Sequence, residues 1–135
     1  MIVIDASSLA KYLLRERNWE IIENYLVKTV YSVNHILKEV SNAIWKHVII
    51  YRRIEPDLGL QLYKQLKRLV HEKIVVLENQ EQYLDKAIEL AIQYRTTIYD
   101  TLYIAQALKY GGLLTSDKTQ AEIAKKLNID IHYIE

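Results

Sequence analysis

Four carboxylates spread along the chain, Asp5, Glu39, Asp100 and Asp117, have the type and setting to do chemistry together. Asp5 ends the run Met1-Ile2-Val3-Ile4-Asp5, whose consecutive apolar residues suit a strand buried on both faces of a parallel sheet. Open α/β sheets bind ligands outside the carboxyl ends of their strands, which is where this charge emerges. The competing reading makes Asp5 a turn residue, with Ser7 or Ser8 capping the next helix. Asp117 repeats the logic, because it follows the apolar segment 113–115 and precedes a helix. Asp100 shares a helix face with Ile104, Ala107 and Leu108, so it points to the interior or to the rim of a cleft. Yet Thr97-Ile98-Tyr99-Asp100 also fits the [ST]-x-x-[DE] capping box, in which Asp100 would only satisfy a backbone N–H. Glu39 lies about 40° outside the apolar stripe of its helix at about 100° per residue, on the rim and not the far side.

If the four converge, each close pair repels by roughly 4 kcal/mol at an effective dielectric near 20. A fold gains nothing by gathering them, and a divalent cation removes the penalty. A ligand set made only of oxygen suits Mg²⁺ or Mn²⁺ in preference to zinc or copper. Cations held in this way generate nucleophiles from water and stabilise phosphoryl oxygens, which points to phosphate chemistry. The 4 His residues, at 35, 47, 71 and 132, have neither HxH nor HExxH spacing and read as structural or surface groups.

The elements that must position these residues alternate between strand and helix. After the first strand, 7–14 and 19–28 have helical spacing and 30–33 suits a short strand. Asn34 is the expected N-cap of a helix to about 48, with Ile36, Leu37, Val40, Ala43, Ile44 and His47 as its inner stripe. Glu55-Pro56 opens a further helix, with Leu58, Leu62, Leu66, Leu69 and Val70 inside and Lys64, Lys67 and Arg68 outside. A strand is expected at 74–77, then a helix from Asn79 or Gln80 to about 95 carrying Leu84, Ala87, Ile88 and Ala91. Thr96-Thr97 interrupts it before a helix at 98–110, which Gly111-Gly112 closes. A strand at 113–115, a helix at 119–127 and a strand at 129–134 complete the chain. This order predicts an α/β fold with a mainly parallel sheet of four or five strands, in a single domain over 1–135.

Composition narrows the function. With 135 residues, 50% apolar and 26% charged, the chain reads as an ordinary globular protein. A net charge of +1 argues against a strongly basic coat for nucleic acid, while leaving room for a locally basic groove. The absence of cysteine excludes disulfides, thiolate zinc sites and a Cys nucleophile. No signal-peptide pattern opens the sequence, and no apolar run approaches the roughly 18 residues of a membrane span, so a cytoplasmic location is expected.

Ile2-Val3-Ile4-Asp5-Ala6-Ser7, the Glu39 helix with Asn42 one turn on, Tyr99-Asp100-Thr101-Leu102-Tyr103-Ile104-Ala105-Gln106-Ala107 and Leu114-Thr115-Ser116-Asp117 resemble the four motifs of the PIN domain. Chains of this size are similar to the VapC-type toxins of toxin–antitoxin pairs. The resemblance implies a Rossmann-like three-layer α/β/α sandwich that binds Mg²⁺ or Mn²⁺ and hydrolyses single-stranded or loop RNA. By position, Asp5, Glu39, Asp100 and Asp117 would form the acidic quartet, with Ser7 and Thr115 as polar supports. Many relatives carry a further acidic residue just after the last motif aspartate, where this chain has Gln120 with Glu122 nearby. The resemblance also implies an antitoxin partner of VapB type and a homodimer. Lys11, Arg15 and Lys118 are the basic residues expected near the mouth as RNA contacts, with solvated surface charge as the alternative. An RNA-processing nuclease outside a toxin pair, and an interaction module that keeps the fold without cleavage, remain open. A phosphatase is disfavoured because Ala6-Ser7 stands where a DxD motif would need its second aspartate, and no G-x-G-x-x-G or Walker A is present.

Overall fold

The computed structural model describes residues 1–135. Its strands are β1 (Val3–Ile4), β2 (Val30–Val33), β3 (Val75–Glu78), β4 (Gly112–Thr115) and β5 (Asp130–Tyr133). All neighbouring strands pair in parallel, in the order β3-β2-β1-β4-β5. The helices are α1 (Ala6–Leu13), α2 (Trp19–Leu26), α3 (Ile36–Trp45), α4 (Pro56–His71), α5 (Leu84–Tyr94), α6 (Ile98–Tyr110) and α7 (Lys118–Lys126). On one side of the sheet α1 packs on α2 and α3, and α3 on α4; on the other, α6 packs on α5 and α7 and lies across β1, β2 and β4. The result is the three-layer α/β/α sandwich.

β1 is only two residues long, yet it sits at the centre of the sheet, and Val3 and Ile4 are fully buried between the two helical layers. From β1 the chain moves outward to β2 and β3, then crosses back to β4 on the other flank. The connections therefore diverge between β1 and β4. Such a switch point opens a crevice at the carboxyl ends of the strands, and Asp5 and Ser116-Asp117 are the residues delivered to it.

The expected strands and helices form in the expected order, with local departures that have physical causes. Asn34 does not cap α3; its Oδ1 accepts the Gln80 N–H at 3.1 Å and so ties the start of the α3 connection to the chain beyond β3. The helix expected to reach about 48 is α-helical only to Trp45, after which Lys46–Ile50 widens into a π-helical turn closed by the Tyr51 N–H on the Lys46 carbonyl at 2.8 Å. Asn79 caps a 3₁₀ turn, Gln80–Tyr83, that precedes α5. Leu58 and Ile88 are 43% and 47% exposed, not inward. The buried line of α4 runs through Gly59, Leu66 and Leu69 and that of α5 through Ala87, Leu90 and Ala91. Ile88 stands about 100° from the line of α5, and Leu58 lies in the first turn of α4, at the helix end.

α6 carries Asp100 and needs firm anchorage. Gly111 ends it with φ +94°, a left-handed conformation suited to glycine. Nearer its end, Glu78 at the tip of β3 accepts bonds from Gln106 Nε2 at 3.0 Å, Tyr110 Oη at 2.9 Å and Lys109 Nζ at 3.3 Å, and from the Tyr83 hydroxyl. Burial opposes the charge, but these donors together outweigh it and hold Glu78 down at about 2. A carboxylate whose folded pKa lies below its ordinary 4.5 contributes stability above that value and loses it as pH falls toward about 2. Glu78→Gln is therefore expected to destabilise the chain by about 2 kcal/mol near neutral pH. In denaturant unfolding, the gap to the native chain should close as pH falls below about 4.

Candidate active site

Asp5 leaves β1 and becomes the N-cap of α1, its Oδ1 accepting the Ser8 N–H at 3.0 Å. The carboxylate is wholly buried. Ser7 Oγ donates to it at 2.8 Å, and Thr115 Oγ1, at the end of β4, donates to Oδ2 at 2.6 Å. Each of these hydroxyls has a second task. Ser7 Oγ accepts the Ser116 N–H at 2.9 Å, and Thr115 Oγ1 accepts the Asp117 N–H at 3.0 Å. Ser7 and Thr115 thus hold Asp5 and shape the turn that presents Asp117. Asp117 repeats the role of Asp5 by capping α7, its Oδ1 accepting the Gln120 N–H at 2.9 Å.

For Asp100 the two sequence readings part. The hydroxyl half of the capping box forms, with Thr97 Oγ1 accepting the Asp100 N–H at 3.3 Å. The reciprocal half does not: Asp100 Oδ2 accepts from Thr96 Oγ1 at 3.4 Å, and Oδ1 from Gln120 Nε2 at 3.2 Å. One carboxylate oxygen thus stays by the start of its own helix and the other reaches α7. Gln120, buried, bridges Asp100 by its side chain and Asp117 by its backbone; its Oε1 has no partner. Glu39, from the first turn of α3, accepts the Tyr103 hydroxyl at 2.9 Å.

Electrostatics tie the four together. Burial lifts the Asp5 carboxyl to about 7 against the pull of its hydrogen bonds, and the charge of Asp117 adds to the rise. Burial raises Glu39, and Asp100 and Asp117 raise it further. Asp100 rises through burial and then through Asp117. Tyr103, buried and facing Glu39, Asp5 and Asp100, is pushed far above its ordinary value. As the side chains lie, no three acidic or imidazole groups form a closed metal cage. The donor set nevertheless fits a hard cation, being all oxygen, mutually repelling and backed by the orphaned Gln120 Oε1.

A cleft of about 400 Å³ opens at this edge, lined by Glu39 and Asp100 together with His35, Lys38, Asn42, Thr97 and Tyr99. The histidines had all read as structural or surface groups, but His35 is in the cleft, its Nε2 3.1 Å from Glu39 Oε1 at an angle that makes no hydrogen bond. The i, i+4 spacing of His35 and Glu39 was the available signal. Lys38 is the cation on the cleft wall, while Lys11, Arg15 and Lys118 do not line it. Arg15 is held beyond the end of α1, its guanidinium 4.0 Å from the Trp19 ring centre and 4.8 Å from that of Tyr12. Lys118 is the exposed first residue of α7.

A carboxyl raised by burial leaves the folded state favouring its protonated form, so cation-free stability should fall as pH climbs from about 4 to about 7 and then level off. Asp5→Asn, which mimics the protonated acid, is expected to melt a few kcal/mol more stably than the native chain at about pH 8 in EDTA, the gain vanishing near pH 4. Thermal melts across that range check it.

Three comparisons bear on kinship. The model of the PIN domain matches residues 2–126. Ribonuclease VapC3 of Pyrobaculum aerophilum is 30% identical over 126 residues, which cover 90% of this chain and 92% of that one. The crystal structure of PAE2754 from Pyrobaculum aerophilum superposes with a TM-score of 0.67 at 20% identity, covering 95% of this chain and 92% of its own, a likeness of fold. With the four motifs on the carboxyl edge of a five-stranded parallel sheet and a family match across nearly its whole length, the chain belongs to the PIN domain family.

Proposed function

We propose that this chain is a metal-dependent endoribonuclease that hydrolyses phosphodiester bonds of single-stranded or loop RNA, acting as the toxin of a type II toxin–antitoxin pair. The observation that carries the reading is the gathering of carboxylates at a cost: burial and mutual repulsion raise Asp5, Glu39 and Asp100 together. Structural needs do not require it. Kinship to a chain named Ribonuclease VapC3 supports the substrate class, and the resemblance of the motifs to VapC-type toxins supports the toxin context.

In this reading Asp5, Asp100 and Asp117, with Glu39, hold Mg²⁺ or Mn²⁺. A cation held there supplies neutralisation of phosphate charge and a lowered pKa for the attacking water. Ser7 and Thr115 fix the Asp5 carboxylate, so that it needs no reorganisation when substrate arrives. Tyr103 donates to Glu39 Oε1 and so fixes this carboxylate at the cleft wall. In-line attack by water then leaves a 5′-phosphate and a 3′-hydroxyl. Lys38, exposed on the cleft wall, is placed to meet a neighbouring phosphate.

The partners implied by the toxin reading are a VapB-type antitoxin and a second copy of this chain. Protein partners need apolar surface to cover, and the chain exposes Trp45, Ile49, Leu60 and Tyr63 around the π-helical turn and α4. No helix is long and apolar enough to cross a membrane.

Cleavage of a mixed RNA pool with Mn²⁺, Mg²⁺ or EDTA tests the reading. Metal-dependent cuts are expected, lost on the order of 100-fold or more in Asp5→Asn and in Asp100→Asn. Mn²⁺ should raise the melting temperature of the native chain and not of Asp5→Asn. Products ending in 2′,3′-cyclic phosphate would overturn hydrolysis by water and implicate His35. Growth arrest on expression of the native chain but not Asp5→Asn separates a toxin from an RNA-processing nuclease.

A further inference from the structure

Tyr99 is an aromatic residue in an unusual position. It is the second residue of α6, next in the chain to Asp100, and 54% exposed. An exposed tyrosine ordinarily rotates freely, and holding it still to bind something costs side-chain entropy. Here the ring is already held. His35 lies beneath it, ring centres 5.0 Å apart and planes 18° from parallel, an offset stack. The imidazole belongs to α3 and its side chain is only 14% exposed, so one face of the pair is closed by protein while the outer face of Tyr99 is open. Both rings line the same cleft as Glu39 and Asp100.

Resting on the nuclease reading, we infer that the His35–Tyr99 stack is a nucleobase platform: an unpaired base of the RNA lies on the open face of Tyr99 and fixes which phosphodiester meets the carboxylates. Every base has a π-face, and stacking on an aromatic side chain needs no particular hydrogen-bond pattern. A purine covers more of the ring than a pyrimidine and is preferred at that nucleotide. Tyr99 and Asp100 line one cleft, so a base on the Tyr99 ring has its own backbone within that cleft beside Asp100. The opposite wall supplies what a nucleotide needs beyond its face: Asn42 with an amide for a base edge, and Lys38 with a positive charge for a phosphate. The platform is preformed, so the ordering cost falls on the RNA and not on the protein.

The test uses the full chain carrying Asp5→Asn, so that RNA stays intact, with a short single-stranded RNA bearing one 2-aminopurine, in Mn²⁺ buffer. Stacking quenches that base. The probe moved along the RNA should be quenched most at one position. Tyr99→Phe should keep the quench, and Tyr99→Leu should lose it and bind about 5- to 100-fold more weakly, with unchanged melting temperature. In the chain with native Asp5, Tyr99→Leu should raise KM by a similar factor and leave kcat within about 3-fold, with Tyr99→Phe near native. Quenching and binding that do not respond to Tyr99→Leu overturn the platform, whatever happens to cleavage. A quench lost in Tyr99→Leu with no cleavage by any form keeps the platform and overturns the nuclease.

Discussion

A carboxylate taken entirely out of water is the constraint to which the centre of this sheet answers. Asp5 has no exposure, and an isolated buried charge would cost far more than a domain of this size has in net stability. The chain meets it with donors on every side: the first turn of α1 gives the Ser8 N–H, Ser7 gives a hydroxyl, and β4 sends Thr115 across from the neighbouring strand. Even so the carboxyl stays near 7, so the compensation is partial. Those same hydroxyls accept the backbone of the turn after β4, and that turn aims Asp117. Correct placement of one carboxylate therefore carries a second with it, and the shortest strand in the sheet can anchor the site because its neighbours hold what leaves it.

The alternation of strand and helix was legible because the buried runs are short, β-branched and separated by amphipathic stretches. Departures came where a tertiary contact outbid a local preference. Asn34 has the side chain of a cap, but a backbone N–H from beyond β3 lies within its reach and takes it. The π-helical turn after Trp45 has no periodicity of its own. It meets α4 where Gly59 offers no Cβ, and a methyl there would come within 2.7 Å of Val48. Such a close approach depends on two helices at once, and a single stretch of sequence does not encode it.

The site was legible to different depths for different residues. Asp5 and Asp117 follow apolar strands, and a strand end in a parallel sheet is a place that topology alone defines. Asp100 was undecidable, because a capping box and a cleft carboxylate share the same spacing; what separates them is the partner each carboxylate oxygen takes, and one of these, Gln120, comes from another helix. Ser7 and Thr115 fell within strand-end motifs, and their hydroxyls do bind Asp5. The basic contacts fared otherwise, since nearness in sequence to Asp5 or Asp117 gives no nearness to the cleft. By the end of α1 the chain has left the sheet edge, and Arg15, just beyond it, lies on Trp19. Lys38 reached the cleft instead, because α3 brings Glu39 there and a neighbour on that helix comes too.

Local preference and the global fold usually agree, and places where they conflict are where function is to be sought. Glu78 and Asp5 make the contrast within one molecule. Both are carboxylates at the carboxyl ends of strands, and both accept several hydrogen bonds. Glu78 is held at about 2, a charge the fold wants, and its donors pin β3 to α6. Asp5 is raised to about 7, chiefly by burial, and the charge that adds to the rise is another carboxylate, Asp117, where a base would serve stability better. The chain has lysines and arginines in equal supply with its acids, 18 against 17, so the absence of one beside Asp5 is not a shortage of cations. Evolution for stability alone would settle Asp5 as it has settled Glu78. In the proposed function, a cation from outside the chain supplies the positive charge that this site lacks beside its aligned hydroxyls.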